Sequence, residues 1–144
     1  MTVIRELHDK EIASALELSR EVFMEFEAPV FSQIGIDEFT GFLNNQEEID
    51  KLRFYGALDQ DVLLGILAMR KEHISLLFVK REFHRRGIAK SLFLFMLNQA
   101  NDKRITVNSS PYAKEVYEKL GFTAVDCEQL KNGIRNIPMV YEGN

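Results

Sequence analysis

Cysteine is almost absent: the 144-residue chain has one, Cys127. No intrachain disulfide can form, and a reducing, cytoplasmic setting is the expectation. No apolar run reaches the roughly 18 residues of a membrane span, so no membrane partner is expected. The opening residues MTVIRELHD lack the charged-then-apolar build of a secretory leader. Repeats, low-complexity tracts and Gly/Ser- or Pro-rich linkers are missing too. One domain over residues 1–144 is therefore expected. Positive charge is in deficit, with 18 Lys and Arg against 22 Asp and Glu, a formal net charge of −4. That balance argues against a general nucleic-acid binder, which presents a wide basic face. The three histidines, His8, His73 and His84, lie far apart, and no His, Cys and carboxylate set has metal-ligand spacing. No metal and no nucleophile triad are expected.

What is present suits a globular chain. Hydrophobic residues make up 46% of it, enough for a core, and the 28% that are charged can cover that core. Thr2 to Leu7 is expected as an opening strand. Asp9 is a plausible cap for a helix from Lys10 to about Phe26, which Ala28-Pro29 would end. Asp37 is placed to cap a second helix containing Phe39, Phe42 and Leu43. Three apolar runs follow at Leu52 to Leu58, Val62 to Met69 and Ile74 to Val79, and each is expected as a strand. A helix from Ile88 to Asn101 and a strand from Arg104 to Asn108 come next. Ser110-Pro111 is a good helix start, and Gly121 stands where a helix stop belongs. Two final strands, Thr123 to Leu130 and Ile134 to Tyr141, flank Asn132-Gly133, a strong hairpin signal. The order is β-α-α-β-β-β-α-β-α-β-β. The expected fold class is α/β (α+β): a mixed, central seven-stranded sheet with helices on both faces.

One segment departs from the acidic balance. Between the apolar runs ISLLFV (Ile74 to Val79) and SLFLFML (Ser91 to Leu97) stand Lys80, Arg81, His84, Arg85, Arg86 and Lys90, gathered around Gly87. A strand feeding directly into a helix puts the helix's first N–H groups, which lack intrahelical acceptors, at the end of the sheet. The helix dipole adds positive potential there, and phosphate is the usual occupant of such a site. Gly87 permits a tight turn and close approach of an oxygen. Ala89 keeps the next position small. The segment has neither the Gly-Lys-Ser/Thr ending of a nucleotide triphosphate loop nor the three glycines of a dinucleotide loop. On charge alone, it is a solvated basic loop.

His84-Arg85-Arg86-Gly87-Ile88-Ala89 resembles the acyl-CoA signature of the GNAT superfamily of acyl-CoA-dependent N-acetyltransferases, Gln/Arg-x-x-Gly-x-Gly/Ala after a strand, with His84 at the Gln/Arg position. Asn108-Ser-Ser-Pro-Tyr-Ala-Lys-Glu-Val-Tyr-Glu-Lys-Leu-Gly-Phe122 is similar to the family's Asn…Ala…Tyr-x-x-x-Gly-Phe segment. The two occur in the family's order along the chain.

The resemblance implies a GNAT-type sheet whose two central parallel strands splay apart, with acetyl-CoA as co-substrate and no metal. Leu77, Phe78 and Val79 would lie along the pantetheine arm. His84, Arg85, Arg86, Gly87, Ile88, Ala89 and Lys90 would surround the diphosphate, and Asn108 would form the other wall. The reaction would be acetyl transfer to an amine in a ternary complex, with Tyr117 as general acid for the departing thiolate. By helical spacing alone Tyr117 is a packed aromatic beside Ala113, Val116 and Leu120. Glu27, Glu72 and His73 are candidate bases, and Phe26, Glu27 and His73 candidate acceptor residues. The acceptor pocket would fall between Phe23 and Phe42 and between Leu130 and Pro138. The acidic run Glu21, Glu25 and Glu27 would draw a cationic amine or would simply be a solvated face. The acceptor, a small-molecule amine or a peptide or protein amine, is not legible, and a homodimer is compatible with the family. Two other functions fit parts of the chain: an acyl-CoA-binding module without catalysis, and a nucleic-acid module using Lys80 to Lys90.

Overall fold

The apolar runs in the middle of the chain become a meander because the turns between them accept left-handed residues. β2 (Arg53–Asp59) and β3 (Val62–Arg70) pair antiparallel, with Asp59 opposite Val62. The two residues between, Gln60 and Asp61, have φ of 50° and 67°. That is the backbone twist of a tight two-residue hairpin. Asn132 and Gly133, at φ of 54° and 80°, do the same between β7 (Gln129–Lys131) and β8 (Ile134–Tyr141). The computed structural model describes residues 1–101 and 103–143.

The remaining strands are β1 (Thr2–Glu6), β4 (His73–Val79), β5 (Ile105–Ser109) and β6 (Thr123–Ala124). Their order across the sheet is β1-β2-β3-β4-β5-β8-β6, with β7 pairing β8 off this path. Among the described residues only β4 and β5 run parallel. The fold is the expected mixed α/β arrangement, but the strand expected over 123–130 arrives as two pieces, β6 and β7. Cys127 lies between them, exposed, rather than inside an alternating strand.

The helices are α1 (Ile12–Phe26), α2 (Gln33–Leu43), the short α3 (Gln46–Ile49), α4 (Ile88–Gln99) and α5 (Lys114–Leu120). Three of their starts differ from the sequence expectation. A 3-10 turn, Asp9–Glu11, precedes α1, and Glu11 rather than Asp9 fixes it. The Glu11 carboxylate accepts the His8 backbone N–H at 2.7 Å and both Arg5 guanidinium donors at 2.9 and 2.8 Å. Those bonds, Arg5's first, hold its pKa down at about 2. Ser32, not Asp37, caps α2, its hydroxyl accepting the Gly35 N–H at 3.3 Å. Ser110-Pro111 forms a turn, and α5 begins only at Lys114. Gly121, at φ 107°, ends α5 in the left-handed conformation a helix stop requires.

Two apolar layers cover the two faces of the sheet. One holds Leu92, Phe93 and Met96 of α4 with Tyr117 of α5, Phe122 and Met139. The other holds Leu18, Val22 and Phe23 of α1 against Phe54, Ile66 and Phe78. Full burial of a side chain such as Phe23 contributes about 1.5–3 kcal/mol. Among the described residues no helix is long and apolar enough to cross a membrane.

Candidate active site

The sheet opens where its two parallel strands meet. β4 and β5 pair only at His73 with Thr106 and Ile74 with Val107. Against β3, Met69 faces Ile74 and Ala68 faces Leu76, so Ser75 is an extra residue without a counterpart. Such a bulge bends its strand and sharpens the twist. It also resets which side chain faces which way. Ile74 joins the layer under α4 and α5, whereas Leu76 and Phe78 join the layer under α1. An unbroken strand would place all three on one face. From Ser75 onward β4 therefore leaves β5, and a cavity of about 310 Å³ occupies the wedge.

At the outer end of β4 the chain enters the basic segment. Arg85 and Gly87 both have positive φ, 64° and 77°, and α4 starts at Ile88. Left-handed residues just ahead of a helix turn consecutive N–H groups toward one point, which makes an anion cradle. Among the described residues no acceptor engages the backbone N–H groups of Arg85 to Lys90. A Cβ built on Gly87 would meet nothing within 4 Å, so the turn is open on the side of Gly87. The residues thus fit a diphosphate. Arg86 lies over the Phe83 ring, 5.5 Å from its centre, and Arg81 is paired with Glu25 at 3.0 Å. His84 acts locally, its Nε2–H donating to the Val79 carbonyl at 2.7 Å and tying the loop to the strand it leaves.

Inside the wedge, Leu77 and Phe78 of β4 and Asn108 of β5 line the cavity, as do Glu27, His73 and Tyr117. Tyr117 is 5% exposed and packs edge-on against Phe122, with ring centres 5.4 Å apart. Burial, then the nearby Glu27 carboxylate, pushes its phenol pKa up. Burial likewise raises the Glu27 carboxyl to about 7, against an opposing hydrogen bond from Ser110. His73 is lowered by burial, and its Nδ1 lies 2.8 Å from the Thr106 hydroxyl. Phe26 is set apart from the cavity lining. It stacks on Tyr112 at 5.3 Å and leans on His84 at 5.1 Å. Glu72 is exposed in the β3–β4 turn, outside the cavity lining.

Two residues of the site carry no motif. Ser110 contacts Glu27, and its type suggests only a helix cap. Ser75 makes the bulge, and its one sequence signal is to be the only polar residue in ISLLFV.

The chemistry available here is proton transfer near neutral pH beside a backbone cradle for an anion. Comparison with known proteins gives the family. The model described as acetyltransferase (GNAT) domain matches residues 27–142. YafP of Escherichia coli K12, named an uncharacterized N-acetyltransferase, is 27% identical over 86 residues, or 60% of this chain. The match spans 56% of YafP, little more than half its length. A GCN5-related N-acetyltransferase from Rhodopseudomonas palustris superposes with a TM-score of 0.83 at 18% identity, over 99% of this chain and 96% of that one. The PaiA N-acetyltransferase of Thermoplasma acidophilum, solved in complex with coenzyme A, gives 0.79 at 18% identity over 99% of both chains. At such identity these two structures speak for the fold alone. With the family match covering most of its length, the chain belongs to the GNAT acetyltransferases.

Proposed function

We propose that the protein is an N-acetyltransferase that moves an acetyl group from acetyl-CoA to an amine, both substrates being held in the wedge between β4 and β5. The observation that carries this reading is the convergence of a proton acceptor and a proton donor, Glu27 and Tyr117, on a cavity lined by β4, the strand whose far end enters the basic glycine turn before α4. The coenzyme A bound in the PaiA structure supports the choice of donor.

In this reading the N–H groups from Arg85 to Lys90 hold the diphosphate, with the side chains of Arg85, Arg86 and Lys90 adding charge at the rim. Backbone groups of Leu77 and the N–H of Val79 line the path of the pantetheine arm, with Phe78 between them, and Asn108 stands on the opposite wall. An alkylamine arrives mostly as ammonium, since its reference pKa is about 10.4. Glu27, with a pKa of about 7, takes one proton from it. The nitrogen lone pair then attacks the thioester carbonyl, the C–N bond forms and the C–S bond breaks. Tyr117 gives its proton to the sulfur and recovers one from the nitrogen as the amide forms. In sum, an ammonium and a thioester become an amide, a thiol and one released proton. Backbone N–H groups of the splayed strand are suited to the negative charge that develops on the carbonyl oxygen. Burial lowers the His73 pKa and so disfavours its charged form.

Thermal unfolding with and without acetyl-CoA tests the reading. Ligand at 100 times its Kd adds about 2.7 kcal/mol, which raises the midpoint by roughly 5–10 °C. Gly87→Glu strains the left-handed turn and adds a like charge beside the cradle, and should unfold at the same temperature with or without ligand. No shift in the wild-type protein would overturn the proposal.

A further inference from the structure

The outer half of the wedge is apolar and aromatic. Phe31, Phe39 and Phe42 line it from the α1–α2 side, and Ile134 lines it from β8. Phe39 is fixed in place: it stacks on Phe23 with ring centres 3.9 Å apart and meets Phe78 edge-on at 5.8 Å. These rings are part-buried rather than buried, so they present apolar surface to whatever enters.

Charge on this wall has one sign. Arg135 lines the cavity, but its guanidinium is paired with Glu128 at 2.9 Å. Glu38 also lines the cavity and has no ion-pair partner among the described residues. With Glu27 at the inner end, the lining favours a cation and offers no unmatched positive charge to a carboxylate.

The two outer walls are joined. A Cβ on Gly35, in the first turn of α2, would lie 2.1 Å from the Gly133 carbonyl oxygen, and one on Gly133 would lie 2.4 Å from the Gly35 nitrogen. Helix and hairpin turn thus meet backbone to backbone. The contact lies about one helical turn from Phe39 and one residue from Ile134, so it ties together two walls of the cavity and narrows the room for a polypeptide beside them. The volume of about 310 Å³ is at the small end of the range for small-molecule pockets.

We infer that the acceptor is a small free monoamine with an apolar, ring-sized body, received amine-first at Glu27 with its body against Phe31, Phe39 and Phe42, and that amines borne on polypeptides are excluded. This deepens the acetyltransferase reading above and rests on it.

The test is a rate comparison, following thiol release by the purified protein with acetyl-CoA and one of four acceptors: phenethylamine, spermidine, free phenylalanine or a lysine-bearing peptide. Phenethylamine should show a kcat/KM at least about tenfold above the other three, the scale set by one apolar contact or one mismatched charge. Phe39→Leu, which keeps an apolar side chain but no ring, should raise the phenethylamine KM about tenfold and leave the acetyl-CoA KM unchanged. Peptide, spermidine or phenylalanine equal to or better than phenethylamine would overturn the inference, as would an unaltered phenethylamine KM in the variant. A thermal shift with acetyl-CoA alone separates the two levels. A shift without phenethylamine turnover sinks this inference and leaves acetyl-CoA binding standing. Absence of the shift removes both.

Discussion

Glu27 and Tyr117 are perturbed by the same environment in the same direction, and the chemistry uses the two shifts differently. Burial holds the Glu27 carboxyl near neutrality, where it can exchange a proton, and keeps Tyr117 as a neutral phenol, a donor at every physiological pH. Glu27 should therefore set the acid limb of the pH–rate profile. For a good acceptor, kcat/KM should climb as pH rises through about 7, and Glu27→Gln should lose that limb together with most of the rate. The same residue carries a stability signature. Its folded value is raised above the reference of 4.5, so folding takes up a proton between about pH 4.5 and 7. The carboxyl is harmless below that window and destabilises the fold as pH rises through it. Glu27→Gln should match the wild type near pH 4 and exceed it by about 2 kcal/mol near pH 8, after allowance for partial solvation, in denaturant melts. Tyr117→Phe should keep acetyl-CoA affinity and lose about 100-fold or more in kcat, read in steady-state assays with the ligand shift as control. Undiminished turnover would make Tyr117 the packed aromatic that its helical spacing alone describes.

Among the elements, β4 and the loop that follows it shape the site by three local departures from regularity: the Ser75 bulge, the His84 tie and the left-handed pair Arg85 and Gly87. His84→Ala removes one hydrogen bond worth about 1 kcal/mol and frees the loop end. It should weaken acetyl-CoA binding about five- to tenfold by titration calorimetry, with only a small change in melting temperature. Unchanged affinity would mean that the cradle is held by its backbone conformation without the imidazole. These departures also mark where sequence was informative. Gly87 and the cationic cluster are visible because a glycine between an apolar strand and an apolar helix has few other uses. The Asn132-Gly133 turn is visible for a similar reason. The bulge is not, because period-two patterning in ISLLFV is satisfied by either register. The split of residues 123–130 is hidden as well, since short edge segments are decided by pairing with β8 rather than by their own composition. Helix starts at Glu11 and Ser32 are obscured by nearby aspartates, Asp9 and Asp37, which are good capping residues themselves.

On the scale of the whole molecule, a chain of net charge −4 must bind an anionic co-substrate through one small basic region. Long-range repulsion and short-range attraction then act together, and the attraction dominates once the phosphates reach the cradle. Raising ionic strength from about 50 to 300 mM should increase the acetyl-CoA KM about threefold, because exposed Arg85, Arg86 and Lys90 are screened over the Debye length. A KM independent of salt would place the affinity in the backbone and the pantetheine path. The site itself is only half legible at this scale. The sequence motifs cover the cradle and the tyrosine, which are local, whereas the aromatic wall is assembled from Phe31, Phe39 and Phe42 on one side and Ile134 on the other. No local pattern links residues so far apart. The Gly35–Gly133 contact has a consequence in time as well as in space. The ribosome releases α2 long before it makes the hairpin that α2 touches, so the wedge stays open until residues 129–141 have emerged. A contact of such long sequence separation closes late in folding. In native-state hydrogen exchange, amides of the 129–141 hairpin and the start of α2 should open together, ahead of the β2–β3–β4 meander.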